Sequence, residues 1–379
     1  MRFVSRLVTE DRPLEVEAAL AGIAATLDTV HLLLIFASPH FQDALERITR
    51  QARGRWPGVR ILGCTGGGII GGDHELEQAP ALSLLAARLP GVTIEPFRMR
   101  QGDFQAPSVA QAAGIILLTD PYTIDSEAVL AALEAAAPGA PILGGLVSGG
   151  MRPYDNRVVL DDLVATDGAV GVILTGELEI EPVVAQGCRP IGPPLFITRA
   201  ERNILYSLDN RPAMAVLQEV LNGLEPDERE LARQALFIGV LPDPTQGRCG
   251  PGDYLVRNLV GLDPRSGALT VGARLQPHGV LRFHVRDAAT STAELHHLLG
   301  QANHRPPPAG ALMFSCLGRG ERLFGVPDHD LDALQAHLGP LPAAGFFCNG
   351  EIGPVQGKVY LHAYTCSIAL VRPKTYRTH

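Results

Sequence analysis

The chain has 379 residues, 46% of them hydrophobic and 19% charged, which suffices for two domains with sizeable cores and is too apolar for a disordered chain. Its formal charge of -8, from 40 acidic and 32 basic residues, argues against a nucleic-acid protein, which carries a basic stripe toward phosphate. The opening residues MRFVSRLVTEDRP hold acidic side chains where a signal peptide has its apolar core, and no apolar stretch reaches the length of a membrane span. The expectation is a cytoplasmic protein with no membrane segment. Six cysteines (Cys64, Cys188, Cys249, Cys316, Cys348 and Cys366) lie far apart with no C-x-x-C pair, so buried or reactive thiols are expected rather than disulfides.

In chain order, Pro13 to Leu27 reads as a helix, with Val16, Leu20, Ile23 and Leu27 on one face. His31 to Phe36 is a continuous apolar run, the pattern of a strand buried on both faces. A helix over Phe41–Arg53 and a strand over Arg60–Cys64 follow, the strand ending in Thr65-Gly66-Gly67-Gly68, and Ala81–Leu89 is the next strand. The same order recurs with a strand over Gly114–Thr119, a helix over Ser126–Ala137, a strand over Pro141–Gly145 ending in Leu146-Val147-Ser148-Gly149-Gly150, and a strand over Ala169–Leu174. A third copy runs through Ala311–Cys316, a helix over Asp328–Leu338, Ala344–Cys348 with the turn Asn349-Gly350-Glu351, and one last strand over Val359–Leu370. A fourth, weaker copy is expected between them. It has a helix over Pro212–Leu221 behind Asn210 as N-cap, strands over Ala235–Val240, Tyr254–Val256 and Leu269–Val271, and a helix opened by the capping box Ser291-Thr292-Ala293-Glu294.

These patterns define an α/β chain, with a mixed α+β organisation left open: two domains of repeated strand-helix-strand-Gly turn-strand units, in mixed sheets flanked by helices. A helix between two strands implies a right-handed parallel crossover. Each glycine turn then sits at a strand end, where ligands collect in open α/β sheets.

Three clusters carry candidate chemistry. Cys64-Thr65-Gly66-Gly67-Gly68 lacks the spacing and lysine of a phosphate loop, and no helical pattern opens after it, so it reads either as a ligand-contacting turn or as tight packing. In Gln186-Gly187-Cys188-Arg189-Pro190 the guanidinium could clamp a carboxylate or make an internal ion pair. Ser315-Cys316-Leu317-Gly318-Arg319-Gly320 and Asn349-Gly350-Glu351 follow the two parallel strands of one copy. There Arg319 and Glu351 either hold a ligand carboxylate and ammonium or pair with each other. Cys316 with His362 as base would make a thiol enzyme, although a buried cysteine is usually inert. No H-E-x-x-H and no clustered Cys/His spacing occurs, so no metal and no cofactor are expected.

The segments Ile61–Thr65, Leu143–Ser148, Val184–Pro194, Phe196–Ala200, Asn203–Tyr206, Phe314–Gly320 and Gly345–Pro354 together resemble the FIST proteins, a sensory family with an N-terminal and a C-terminal FIST part. QGCRPIGPP and GFFCNGEIGP are the most specific stretches. The chain departs from the family pattern at Cys64-Thr65 and at Cys348. The resemblance implies a helical lead-in over residues 1–30, a FIST N-terminal domain over 31–209, a FIST C-terminal domain over 210–373 and a tail over 374–379. It also implies a sensory role with a small ligand, an amino acid or related metabolite, held between the two FIST parts and read by a signalling partner. It supplies no catalytic residues. Cys64, Thr65, Ser148, Cys188, Arg189, Ser315, Cys316, Arg319, Asn349 and Glu351 are the expected ligand-binding residues. A cysteine- or carboxylate-dependent enzyme and a protein-interaction scaffold without a small ligand remain the alternatives.

Overall fold

The computed structural model describes residues 1–107, 109, 111–242 and 252–374, which form two units; Cys249 lies outside the described residues. Unit 1 takes Met1–Val184, Leu295–Leu361 and the chain from Thr365 on, and unit 2 takes Ala185–Glu294 and His362–Tyr364.

Unit 1 begins with β1 (Arg2–Val8), α1 (Pro13–Ala24), β2 (Leu32–Ala37), a 3-10 turn over Pro39–Ala44, α2 (Leu45–Arg55), β3 (Arg60–Thr65), the hairpin β4 (Gly68–Gly71) and β5 (His74–Glu77), and β6 (Leu82–Arg88). A second copy follows: β7 (Val92–Met99), β8 (Gly114–Thr119), α3 (Ser126–Ala136), β9 (Ile142–Leu146), the hairpin β10 (Val158–Leu160) and β11 (Leu163–Ala165), and β12 (Ala169–Gly176). The third copy opens with β13 (Leu178–Ala185), after which the chain enters unit 2.

Unit 2 contains β14 (Cys188–Glu201), β15 (Ile204–Leu208), β16 (Arg211–Pro212), α4 (Ala213–Asn222), α5 (Pro226–Gln234), β17 (Leu236–Val240), β18 (Leu255–Asp263), β19 (Ala268–Val271) and β20 (Val280–Arg286). The third copy resumes with α6 (Ala288–Ala302), β21 (Gly310–Cys316), α7 (Glu321–Phe324), α8 (His329–Leu338), β22 (Ala343–Cys348), the hairpin β23 (Glu351–Val355) and β24 (Lys358–His362), and β25 (Cys366–Pro373).

The three six-stranded sheets of unit 1 have the same plan, in the orders β1-β6-β2-β3-β10-β11, β7-β12-β8-β9-β23-β24 and β13-β25-β21-β22-β4-β5. In each, one parallel pair sits at the centre: β2 with β3, β8 with β9, β21 with β22. Each sheet is completed by a hairpin from another copy. The hairpin after β3 joins β22, that after β9 joins β3, and that after β22 joins β9. Both faces of the central strands are buried, which explains their unbroken apolar runs. One face feeds a common core containing Phe36, Leu118, Leu143, Phe314 and Phe346, and the opposite face of the first two sheets packs on α1 with α2 and on α3. The rings of Phe36, Phe314 and Phe346 lie 5.4 to 6.4 Å apart, two pairs edge-on and one stacked.

Gly63, Gly144 and Gly345 occupy one equivalent position in the three copies, in register with Ile35, Leu117 and Met313 of the parallel neighbour. A β-carbon at any of the three would collide with that neighbour's carbonyl oxygen. Glycine is therefore required by close backbone approach.

The sequence reading differs from the structure in five places. The lead-in expected to be helical opens with the strand β1, which pairs with β6 ahead of α1. Where a fourth copy is expected, unit 2 pairs all its strands antiparallel, and an additional β14–β15 pairing closes its sheet into a barrel around Ile197, Leu205, Leu269, Leu281 and Phe283. Asn210 stands in a turn at φ 61°, and α4 starts behind Pro212 with no side-chain cap. The capping box over 291–294 lies inside α6: Asp287 Oδ1 accepts the Thr290 N–H at 2.7 Å, and Ser291 Oγ donates to the Asp287 carbonyl at 2.9 Å. The last strand is two, because Tyr364 at φ 66° breaks extended backbone between β24 and β25.

Gly345→Ala is expected to lower stability by about 3 kcal/mol, the upper range for overpacking, because backbone cannot yield. Gly54→Ala, exposed in α2 with open space around it, should raise stability by about 1 kcal/mol. Denaturant unfolding of the two variants checks both signs.

Candidate functional site

The glycine-bearing strand ends of all three copies meet inside unit 1. Gly67 N–H donates to Ser148 Oγ at 2.8 Å, and Ser148 Oγ donates in turn to the Phe347 carbonyl. The Leu146 N–H reaches the Gly350 carbonyl at 2.8 Å, and the Asn349 N–H and Nδ2 return to the carbonyls of Leu146 and Val147, both at 3.1 Å. A β-carbon on Gly67 would strike Leu317, and one on Gly145 would strike Cys348 Sγ. Thr65, Ser148, Ser315, Cys316, Arg319, Asn349 and Glu351 thus belong to one neighbourhood, with Cys64 one residue deeper in the shared core.

Its floor is a buried ion pair. Arg319 has no exposed surface and holds Asp330 through Nε at 2.8 Å and Nη2 at 2.9 Å. Ser315 Oγ donates to the same carboxylate at 2.8 Å, and His329 Nδ1 lies 2.9 Å from it. Burial alone would raise the Asp330 carboxyl, but the guanidinium outweighs it and holds Asp330 well below the usual carboxylate range. Glu75, reaching in from β5, accepts the Leu331 N–H at 2.9 Å. Burial, then repulsion by Asp330, pushes its carboxyl well up. The guanidinium lies 5.2 Å from the Phe324 ring, which stacks on His329. Arg319 therefore pairs with Asp330 rather than with Glu351.

Glu351 is the unusual group. The hairpin registers make it the equivalent of Ile69 and Val158, which fill the apolar core in the other two copies. It is fully buried; Oε2 accepts the Thr365 N–H at 3.0 Å, while Oε1 has no partner. Burial pushes its carboxyl up to about 8, against the lowering effects of the Thr365 N–H, the Cys316 thiol hydrogen-bonded to it and the Arg319 charge. Arg319 Nη1 likewise has no partner. Unsatisfied buried polar atoms are costly, and they call for a function or a guest.

A second feature adjoins. The turn between β9 and β10 is much longer than those after β3 and β22. Its residues border a cleft of about 290 Å³ that includes Thr65, Gln42, Gly149, Tyr154 and Arg157. The loop is tied down internally: Asp155 Oδ2 accepts the N–H groups of Met151 and Arg152, and Asn156 bridges the Gly150 N–H and Asp120 Oδ1, each at 2.8 Å.

Cys188 and Arg189 belong to unit 2. Cys188 is buried with Phe237 and Val256, and Arg189 bonds Asp287 at 2.9 Å and Glu228 at 2.7 Å. The Gly192-Pro193-Pro194 stretch is a bulge in β14, where the register to β20 shifts between Ile191 and Leu195.

Sequence reasoning missed Asp330, Glu75 and Thr365. Asp330 sits at the start of α8, a place that favours acids on any helix and so conceals a special role. Glu75 arrives on a hairpin from the first copy, and no local pattern reports that exchange.

Asp330→Asn would leave the guanidinium buried without its counter-charge. A loss of about 3–5 kcal/mol is expected in denaturant unfolding, the cost of breaking a buried pair. For Glu351 the pH sign is opposite to that of an ordinary salt-bridged acid. A carboxyl raised on folding favours the folded state while protonated. Its contribution is complete below the ordinary value of 4.5 and is lost as pH rises through about 8. The unfolding midpoint should fall across this window, and Glu351→Gln should flatten the slope.

The FIST N domain model matches residues 31–211, and the FIST C domain model matches residues 213–354. The chain is 40% identical over 319 residues to the uncharacterized protein MT0656 of Mycobacterium tuberculosis, covering 82% of this chain and 83% of that protein. It is also 40% identical over 323 residues to the uncharacterized protein Mb0898c of Mycobacterium bovis, covering 82% of each. Among the described residues, no helix is long and apolar enough to cross a membrane. Both FIST segments contribute strand ends to the one neighbourhood in unit 1, and the chain belongs to the FIST family, whose domains are generally sensory domains of signal transduction.

Proposed function

We propose that this FIST protein senses a small zwitterionic metabolite, an amino acid or a close relative, at the joined strand ends of unit 1. The observation that carries the reading is Glu351: an acid stands where the other copies bury Ile69 and Val158, and its Oε1 has no protein partner. A ligand ammonium would satisfy that oxygen and keep the carboxyl ionised. The ligand carboxylate would take Arg319 Nη1, the guanidinium nitrogen that Asp330 leaves over. Asn349, Ser148 and Thr65 frame the site through backbone and hydroxyl contacts between copies, Ser315 and Cys316 stand beside Arg319 and Glu351, and Cys64 packs behind them in the shared core. Cys188 and Arg189 lie in unit 2 and do not enter this reading. Binding would select one arrangement of the strand-end loops, and a signalling partner would read that shift.

The test is thermal unfolding of the full chain against a panel of amino acids and related metabolites. A ligand present at 100 times its Kd stabilises by about 2.7 kcal/mol, so a true ligand raises the midpoint measurably. Glu351→Gln should abolish the rise for the same compound. No rise across a broad panel, or an undiminished rise in the variant, overturns the reading.

A further inference from the structure

We propose that Cys316 is a reactive thiol, with Glu351 as its proton acceptor, and that its reaction partner is a hydroperoxide. This goes beyond ligand sensing, because it assigns covalent chemistry to the site.

Five observations converge. Cys316 is at the carboxyl end of β21, beside the turn Leu317-Gly318. The equivalent positions in the other copies, which like Cys316 donate their N–H to the strand following the hairpin, are Ser38 and Asp120, so a polar, reactive or acidic group recurs at this corner. The thiol hydrogen-bonds the Glu351 carboxyl, and the Gly318 N–H points at Sγ from 3.4 Å, a contact that favours a thiolate. The carboxyl itself is wholly buried and keeps Oε1 unpartnered, and so does Arg319 with Nη1. Finally, Cys316 retains 9% of its surface, whereas Cys64, Cys348 and Cys366 have none. Burial pushes those three thiols well up and leaves them inert.

The step balances without further reactants. The thiol proton passes to the Glu351 carboxylate. The thiolate attacks one peroxide oxygen, the O–O bond breaks, and the departing oxygen takes the proton back from Glu351 as water or an alcohol. Sulfur loses two electrons and becomes a sulfenic acid, and the peroxide gains them. Arg319 Nη1 supplies a fixed positive donor for the charge that develops on the peroxide. With the carboxyl held up to about 8, the ionised fraction that accepts the thiol proton grows as pH approaches 8, and the acid so formed is strong enough to return it to the departing oxygen.

The experiment treats the intact, folded protein with hydrogen peroxide in the presence of a dimedone-type sulfenate trap and maps the adduct by mass spectrometry. The adduct is expected on Cys316, at a rate at least tenfold above those of Cys64, Cys348 and Cys366. Glu351→Gln should slow labelling of Cys316 tenfold or more while the peroxide-free protein keeps its unfolding midpoint at pH 6. The wild-type map alone decides the matter if that variant fails to fold. Labelling of Cys316 no faster than the three buried thiols, or only after unfolding, overturns the proposal. So does an equal rate in a folded Glu351→Gln. A metabolite panel that gives no thermal shift leaves this result untouched, so the two proposals fail separately.

Discussion

The hairpin exchange is the constraint on which unit 1 rests. No copy completes its own sheet: β3 waits for β10, β9 for β23 and β22 for β4. Each central parallel pair would otherwise leave an edge of unpaired backbone groups over a buried face. The hairpins after β3 and β22 leave their own sheets within a few residues of the strand end and the one after β9 leaves through a longer loop, and this exchange brings the ends of β3, β9 and β22 against one another. The short links Gly66-Gly67 and Asn349-Gly350 are built for that crossing. Convergence of the strand ends is therefore a by-product of how the sheets are completed, and the site inherits its rigidity from the ladders on either side.

Within that frame the copies are not equal. The first two use Ile69 and Val158 to close the shared core, whereas the third inserts Glu351 among apolar neighbours. Nearby, Arg319 is already balanced by Asp330, with Ser315 and His329 completing the carboxylate's shell. One cation and one anion are thereby settled, and neither Glu351 nor Glu75 has a charge of its own to lean on. Both are driven toward the protonated form. Packing alone would favour an aliphatic side chain at position 351, since replacing buried polar groups by well-packed apolar ones is often stabilising. An acid kept at that cost is a physical argument for a role in binding or chemistry.

Much of the fold is readable because the central strands are buried on both faces: runs such as Leu32–Phe36, Gly114–Thr119 and Ala311–Cys316 stand out with no alternation to weaken them. The glycine turns are visible for a related reason, since Gly63 and Gly144 follow the same apolar spacing. The edge strands were not visible. β7, with alternating exposure along Val92–Met99, and β1 resemble ordinary amphipathic segments. Unit 2 has the sequence pattern of a fourth copy without its topology, because a helix between apolar runs looks the same whether the flanking strands pair with each other in parallel or close an antiparallel barrel. Of the site, the residues on strand ends were legible from Cys316, Arg319, Asn349 and Glu351. The partners were not. Asp330 is 11 positions from Arg319, and Glu75 is contributed by another copy's hairpin, 256 positions from its backbone donor Leu331.

The two readings of the site draw on the same carboxyl, and that has a consequence. An ammonium seated on Glu351 would hold it ionised but occupied, so it could no longer take the thiol proton of Cys316. A hydroperoxide needs the opposite condition, with the carboxyl free and the Arg319 Nη1 donor open. Occupation by a zwitterion would remove both at once. Ligand binding and thiol oxidation would therefore exclude each other at one residue. An excluded reaction gives a sensor a second output without a second site: the metabolite's presence would be recorded as protection of Cys316, and its absence as susceptibility.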